Sequence, residues 1–397
     1  MDHEPAPGRA VSLRDTATGR ALAGAVAVLT LATLAGLVAL WPTDRVQAPP
    51  EAQRADTLAA EVVALQAAPC SAPRAEGCRW VTARLGATGE EVRLFTGEAV
   101  AEPDPALGDG VRLVRNELPP GVPAQAGDAY TLVDFERRAP LLLLAAGFAV
   151  LVIALGRVRG ARALCGLAAS IVVVFAFVVP AILAGQPPLA VAVVGALAVM
   201  LVTIPLAHGL GAKSLAAIAG TVASLALIVT LAVVFTEAAH LTGLAGDASQ
   251  LLLAGRQDLS LQGLILAGMV IGALGVLDDV TVSQASTVMA LRRADPTLPF
   301  KQLYRAALGV GQDHAAATVN TLVLAYVGAS LPALLIFGLG GVQPGQALNT
   351  ESVAEPLVAM LVGSAGLLAA VPITTAVAGL LAVRLPARAL PETAHVH

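Results

Sequence analysis

The chain has 397 residues, of which 56% are hydrophobic and 13% charged, with a formal net charge of −4. Mean hydropathy is +0.77 and the isoelectric point is about 5.9. Soluble domains carry about 25% charged residues, so this supply is too small to cover compact soluble domains of that length. Repeated apolar tracts mark membrane spans instead. Disorder, collagen, a coiled coil and a cytosolic enzyme are poor fits, and the acidic balance gives no footing for nucleic-acid binding.

In chain order, residues 1–20 read as a cytoplasmic tail with Arg9, Arg14 and Arg20, and 21–41 as a first transmembrane helix. A cleaved signal peptide is the competing reading. The apolar run exceeds the roughly 7–15 residues of a signal core and no small-residue cleavage site follows, which favours an uncleaved span.

Residues 42–138 differ in kind, with ten Arg and fifteen Asp or Glu. Alternating runs at 79–85, 91–95, 111–114 and 130–135, punctuated by Gly and Pro, predict a small β-rich domain, with a five-stranded barrel as one form. On the oxidising side of a membrane, Cys70 and Cys78 would close a disulfide across a short loop, with free thiols as the alternative. Cys165 lies in a span and reads as packing.

Apolar tracts resume at 140–155, 163–183, 190–207, 215–235, 261–277, 315–339 and 356–385. The predicted fold is therefore mainly α: a polytopic transmembrane helical bundle of about eight spans. A small extracytoplasmic β-rich domain (42–138) separates the first span from a seven-helix domain (139–385), and 386–397 form a tail. Thirteen of the 24 basic residues fall in alternate short loops and termini, and Arg256 alone falls in the short loops between them. The positive-inside rule then puts both termini in the cytoplasm.

Ionisable groups inside spans are costly and point to function. Gly263, Gly268, Gly272 and Gly275 give one helix a small face that would let a neighbour approach. Asp278 and Asp279 follow, and continued helix would align Asp279, Ser283 and Ser286 on one face, with Thr281, Gln284 and Thr287 nearby. The alternative is a helix that stops at Leu277 and leaves the aspartates solvated. A second cluster comprises Gln312, Asp313, His314, Thr318, Asn320 and Thr321. Asp313 and His314 could cap a helix start, and Asn320 could simply bond a neighbouring helix. His208 and Lys213 form a weaker signal in a short turn. Pro180, Pro205, Pro332 and Pro372 fall inside apolar tracts and can kink them.

The run Gly-Val-Leu-Asp-Asp-Val-Thr-Val-Ser-Gln-Ala-Ser at 275–286 resembles the YibE/F family of bacterial polytopic membrane proteins. Matching stretches are Val-Asp-Phe-Glu-Arg at 133–137, Gly-Arg-Val-Arg-Gly at 156–160 and Asp-His-Ala-Ala-Ala-Thr-Val-Asn-Thr-Leu at 313–322. The resemblance covers roughly residues 130–385 and is loose in the outer domain, and the family pattern has Arg where this chain has Gln312. It implies a multi-pass protein of the bacterial cytoplasmic membrane and supplies no activity.

The leading expectation is a transporter or permease in which Asp278, Asp279 and Asp313 bind a cation or relay protons. Thr281, Ser283, Gln284, Ser286, Thr318 and Asn320 would complete the path, with His314 as a titrating partner. A sensor or envelope-assembly protein working through the β-domain is the alternative. An aspartyl hydrolase using Asp279 and Asp313 is a third reading, although Leu277 stands where a Gly-x-Gly-Asp signature needs glycine. No nucleotide, haem or zinc motif occurs, so no cofactor or metal is expected and an enzyme is not favoured. The expected partners are the bilayer and a small solute or ion; an oligomer is left open.

Overall fold

A computed structural model describes residues 16–43, 57–70, 77–97, 103–116, 129–245, 252 and 259–385. Most of both expected tails, together with Arg256, lies outside these residues. The chain divides into two compact units, Gln47–Leu155, and Met1–Val46 with Gly156–His397.

The first unit holds strands β1 (Leu58–Ala67), β2 (Arg79–Leu85), β3 (Glu91–Thr96), β4 (Gly110–Arg115) and β5 (Tyr130–Phe135). They form one sheet in the order β3-β2-β1-β4-β5, with antiparallel neighbours throughout. Period-two alternation sends Val62, Val81, Leu94, Val111 and Leu113 into a dry core. Trp80 lies opposite Phe95, their rings meeting edge-on at 5.0 Å, and the Arg93 guanidinium stacks on Trp80 at 4.6 Å.

Two expectations change here. β1, central in the sheet, was not among the predicted runs, because Leu-Ala-Ala-Glu-Val-Val-Ala-Leu-Gln-Ala is made largely of helix formers. Ladders on both of its edges override that preference. The sheet is also a half-barrel rather than a closed barrel: β3 and β5 approach each other, yet no ladder joins them among the described residues.

The Cys70–Cys78 disulfide spans 5.3 Å between Cα atoms and ties the chain after β1 to the start of β2. Gly97 packs on this junction at φ +101, where a Cβ would meet the Cys78 backbone at 2.8 Å. Only glycine suits both demands.

The second unit is helical. It comprises α1 (Ala17–Ala39), the later part of α2 (Arg138–Val173), a single π turn (Val174–Val178), α3 (Val179–Leu183), α4 (Pro188–His208), α5 (Ala212–Ala238), α6 (Leu261–Ala294), α7 (Phe300–Ala329), α8 (Leu331–Leu339), α9 (Pro344–Ala347) and α10 (Glu351–Arg384). α5, α6 and α10 pack mutually at the centre, with α4 against α6 and α7 against both α6 and α10. Among the described residues, six helical stretches are long and apolar enough to cross a bilayer, and the bent pair α7–α8 is a seventh candidate. Large apolar side chains stay exposed on their outer faces, Val38 at 79% and Leu339 at 90%. Water would not tolerate such surfaces and lipid does. The chain is a membrane protein.

About eight separate spans were expected. The tracts at 140–155 and 163–183 fall in helices that join at a kink at Arg157, whose backbone leaves helical geometry at φ 50, ψ −130. The expected span 315–339 is broken by 57° between α7 and α8. Pro332, in the first turn of α8, accounts for that break, since it has no N–H to continue the ladder. Pro180 lies two residues beyond the last residue of the π turn, and that widened turn accommodates its ring.

The predicted small face of α6 packs closely at one end only: a Cβ on Gly263 would come 3.1 Å from Pro188 Cδ at the start of α4. A Cβ on Gly268 or Gly275 would meet nothing within 4 Å. Closer approaches lie elsewhere: a Cβ on Gly220 would come 2.0 Å from Thr374 Oγ1, and one on Gly366 2.1 Å from Ile228. Both draw α5 and α10 together.

Candidate functional site

α6 positions the site. Ser260 caps its N-terminus, its hydroxyl accepting from Gly263 N at 3.1 Å. The helix then runs unbroken for 34 residues, about 51 Å. Asp278 and Asp279 therefore lie near its middle, about 26 Å from the N-terminal end. This excludes the reading in which the helix stops at Leu277.

One polar contact after another steps along α6 to a different neighbour. Thr203 on α4 donates its hydroxyl to Asp278 Oδ2 at 3.3 Å. The Thr281 and Thr221 hydroxyls meet at 2.7 Å between α6 and α5, fully buried. Gln284 donates Nε2 to the Ala307 carbonyl of α7 at 2.8 Å and to Thr375 Oγ1 of α10 at 2.6 Å. Gly311 makes room for this amide, since a Cβ there would sit 2.5 Å from Gln284 Oε1. These contacts satisfy polar groups that lipid could not.

Asp278 is the exception. Its Oδ1 is buried and has no hydrogen-bond partner among the described residues. A buried orphan oxygen on a carboxyl calls for a proton, a cation or water. Asp278 and Asp279 line one cavity of about 520 Å³, with Gly275, Ser283, Ser286, His208 and Lys213 around it. The Ser283 and Ser286 hydroxyls bond carbonyls of their own helix, those of Val280 and Val282. A second cavity of about 430 Å³ lies nearer the start of α6, lined by Gly268, Met269, Tyr326, Ser330 and Glu355 among others.

The second predicted cluster does not join this site. His314 alone reaches across, its Nε2 lying 3.8 Å from Asp279 Oδ2, an ion pair when the ring is protonated. Asp279 is itself 75% exposed in that pair. Asp313 and Asn320 are exposed on α7, do not line the cavity, and bond no partner among the described residues. Thr318 spends its hydroxyl on the His314 carbonyl. Cys165 is exposed rather than packed.

Several partners escaped the sequence reading. Thr203, Thr221 and Thr375 are hydroxyls in apolar tracts, and that is the only signal they give. Glu351, in the first turn of α10, accepts from Thr242 N, from Thr242 Oγ1 at 2.7 Å and from Gly243 N at 2.6 Å, clamping α10 to the chain after α5.

Long apolar helices packed around an internal polar seam define a polytopic helical membrane protein. A family model described as YibE/F-like protein matches residues 144–384, and the chain belongs to that family. The matched region contains the whole polar seam. Neither the curated proteins nor the solved structures yield a match.

Proposed function

We propose that this chain is a permease of the bacterial cytoplasmic membrane whose intramembrane Asp278 binds a monovalent cation or proton coupled to a small solute. The observation that carries the reading is the orphan Oδ1 of Asp278, buried at mid-helix on the wall of a cavity. Structural carboxylates are normally saturated with donors, whereas transport sites must release what they bind.

The two cavities on α6 support a path. Gly268 and Gly275 lie about 10 Å apart along the helix. Between them Val270, Ala273 and Leu274 are buried and close the way. The Tyr326 hydroxyl lies 3.7 Å from where a Gly272 Cβ would stand, so it sits against this barrier. Asp279 and His314 extend the polar route on the α7 side, with Ser283 and Ser286 on the cavity wall.

The topology goes with this reading. The helical stretch from 138 to 183 has 46 residues, enough for two crossings of about 20 residues each, with a non-helical residue at Arg157 between them. Taken as two crossings that turn at Arg157, it brings the spans to eight and leaves both termini cytoplasmic. The basic residues of 157–162 then face the cytoplasm and the β-domain lies outside.

Blocking the path without touching charge tests the proposal. Gly275→Leu places its side chain in empty cavity space, so proteoliposomes carrying it should lose cation or proton flux while the protein melts at its usual temperature. Flux equal to that of the Gly275→Ala protein overturns the assignment of this cavity as the path.

A further inference from the structure

A second, larger pocket of about 750 Å³ adjoins the aspartate cavity and shares His208, Lys213 and Ser286 with it. Four basic side chains line it: Arg159 and Arg162 of α2, Lys213 of α5 and Arg293 of α6. No carboxylate does. Like charges gathered in a concave, partly apolar recess repel each other, and that recess focuses their field on any anion that enters. Among the described residues, Arg159, Arg162 and Lys213 make no ion pair.

The backbone adds to this field. Gly209 and Gly211 line the same pocket. Gly211 is the N-cap of the 27-residue α5 and carries no side-chain cap. The first-turn N–H groups of a helix lack internal partners, and its dipole makes that end favourable for an anion. Lys213 sits in this turn and its Nζ donates to His208 Nδ1 at 3.1 Å, which steers the ammonium by a neutral acceptor.

We infer that this basic pocket binds a phosphate-class anion, held by Arg159, Arg162, Lys213 and Arg293 at the uncapped start of α5. Phosphate is the class that matches paired guanidinium forks together with a point-charge lysine. A volume of about 750 Å³ accommodates a phosphate or a phosphoester headgroup. The two sources of this chemistry are free phosphate in the adjoining aqueous phase and the headgroup of an anionic lipid. Binding here does not depend on the chain being a permease; if it is one, the anion sits beside the mouth of the Asp278 cavity.

The full chain in phosphatidylcholine nanodiscs is titrated with inorganic phosphate by calorimetry, and in parallel its retention of phosphatidylglycerol over phosphatidylcholine is read by native mass spectrometry. Saturable phosphate binding that weakens at least tenfold in Arg162→Gln/Lys213→Gln, and not in Lys301→Gln, supports a free-anion site. Selective phosphatidylglycerol retention lost in the same double variant, without phosphate binding, supports the site with a lipid headgroup as its source. Ala290→Phe fills the pocket without removing a charge and should weaken whichever ligand binds, which keeps the test open if the double variant does not fold. Ligand retention unchanged in these variants, or no preference for either probe in the unmodified chain, overturns the inference.

Discussion

Gly220→Ala separates close helix packing from mere tolerance of glycine. Its Cβ would stand 2.0 Å from Thr374 Oγ1 and 2.9 Å from Thr374 Cβ, both below any normal contact. Rotating the threonine side chain moves the oxygen and leaves the Cβ clash, so α5 and α10 must separate. Thr374 is fully buried, so no solvent-side relief exists. Overpacking of this kind costs about 1–3 kcal/mol, offset by the roughly 0.5–1 kcal/mol that alanine gains over glycine in a helix. The net expectation is a loss of roughly 1 kcal/mol, within a range of about 0–2.5 kcal/mol. Gly275→Ala has only the favourable component, because nothing lies within 4 Å of its Cβ. Unfolding of the purified protein in mixed micelles, followed by circular dichroism, measures both, and Gly220→Ala/Thr374→Ala should recover part of the loss. Equal stability of the two single variants would refute the packing of α5 on α10 described above.

Three further predictions concern single contacts. Replacing Cys70 and Cys78 by Ser opens a loop of about nine residues and should cost the β-unit about 2–3 kcal/mol, read by Trp80 fluorescence in a Trp41→Phe background; an unchanged denaturation midpoint contradicts it. Glu351→Ala removes three charge-assisted acceptor contacts at the partly exposed junction of α5 and α10 and should cost about 1–2 kcal/mol. Its coupling to Thr242→Ala, measured by a double-mutant cycle, should be well above zero. Asp134 is held below the usual carboxylate range by the Phe135 backbone N–H and then by the Arg137 guanidinium. A group depressed in the folded state contributes stability above its unfolded pKa and loses it as pH falls through the folded one. The Asp134 carboxyl should therefore titrate by NMR with a midpoint below 3.8, and a midpoint at or above that value contradicts the two hydrogen bonds.

The elements that sequence displayed well are those whose signal is local. Long apolar runs with flanking arginines give the helices, and the apolar residues after Asp279 carried the pattern of α6 to its basic end at Arg292 and Arg293. The misreadings came from non-local causes. β1 is a strand because two neighbours bond it, and nothing in its alanine-rich composition says so. Arg157 was read as part of a loop, yet helix runs up to it from both sides. The glycines of α6 were expected to admit a neighbouring backbone, but Gly268 and Gly275 border open cavities, a distinction that depends on what stands opposite them.

The candidate site divides in the same way. Asp278, Asp279, Ser283 and Ser286 share a cavity because they share one helix, which spacing can show. Lys213 and His208 reach it from other helices, Thr203 bonds Asp278 from α4, and only packing brings them there. Asp313 and Asn320 belong to the next helix and were placed with the aspartates because consecutive spans often touch. α7 does touch α6, but through Gln284 and His314, and its own Asp313 and Asn320 stay exposed.

The proposed exchange of a cation or proton at Asp278 has its own readout. Proteoliposomes holding the full chain, loaded with a pH-sensitive dye and placed in a gradient of protons and then of sodium and potassium, test it directly. Unmodified protein should dissipate at least one gradient, Asp278→Asn should abolish that flux while reconstituting and melting normally, and Asp279→Asn should only slow it. Flux through Asp278→Asn equal to that of the unmodified chain would contradict the account.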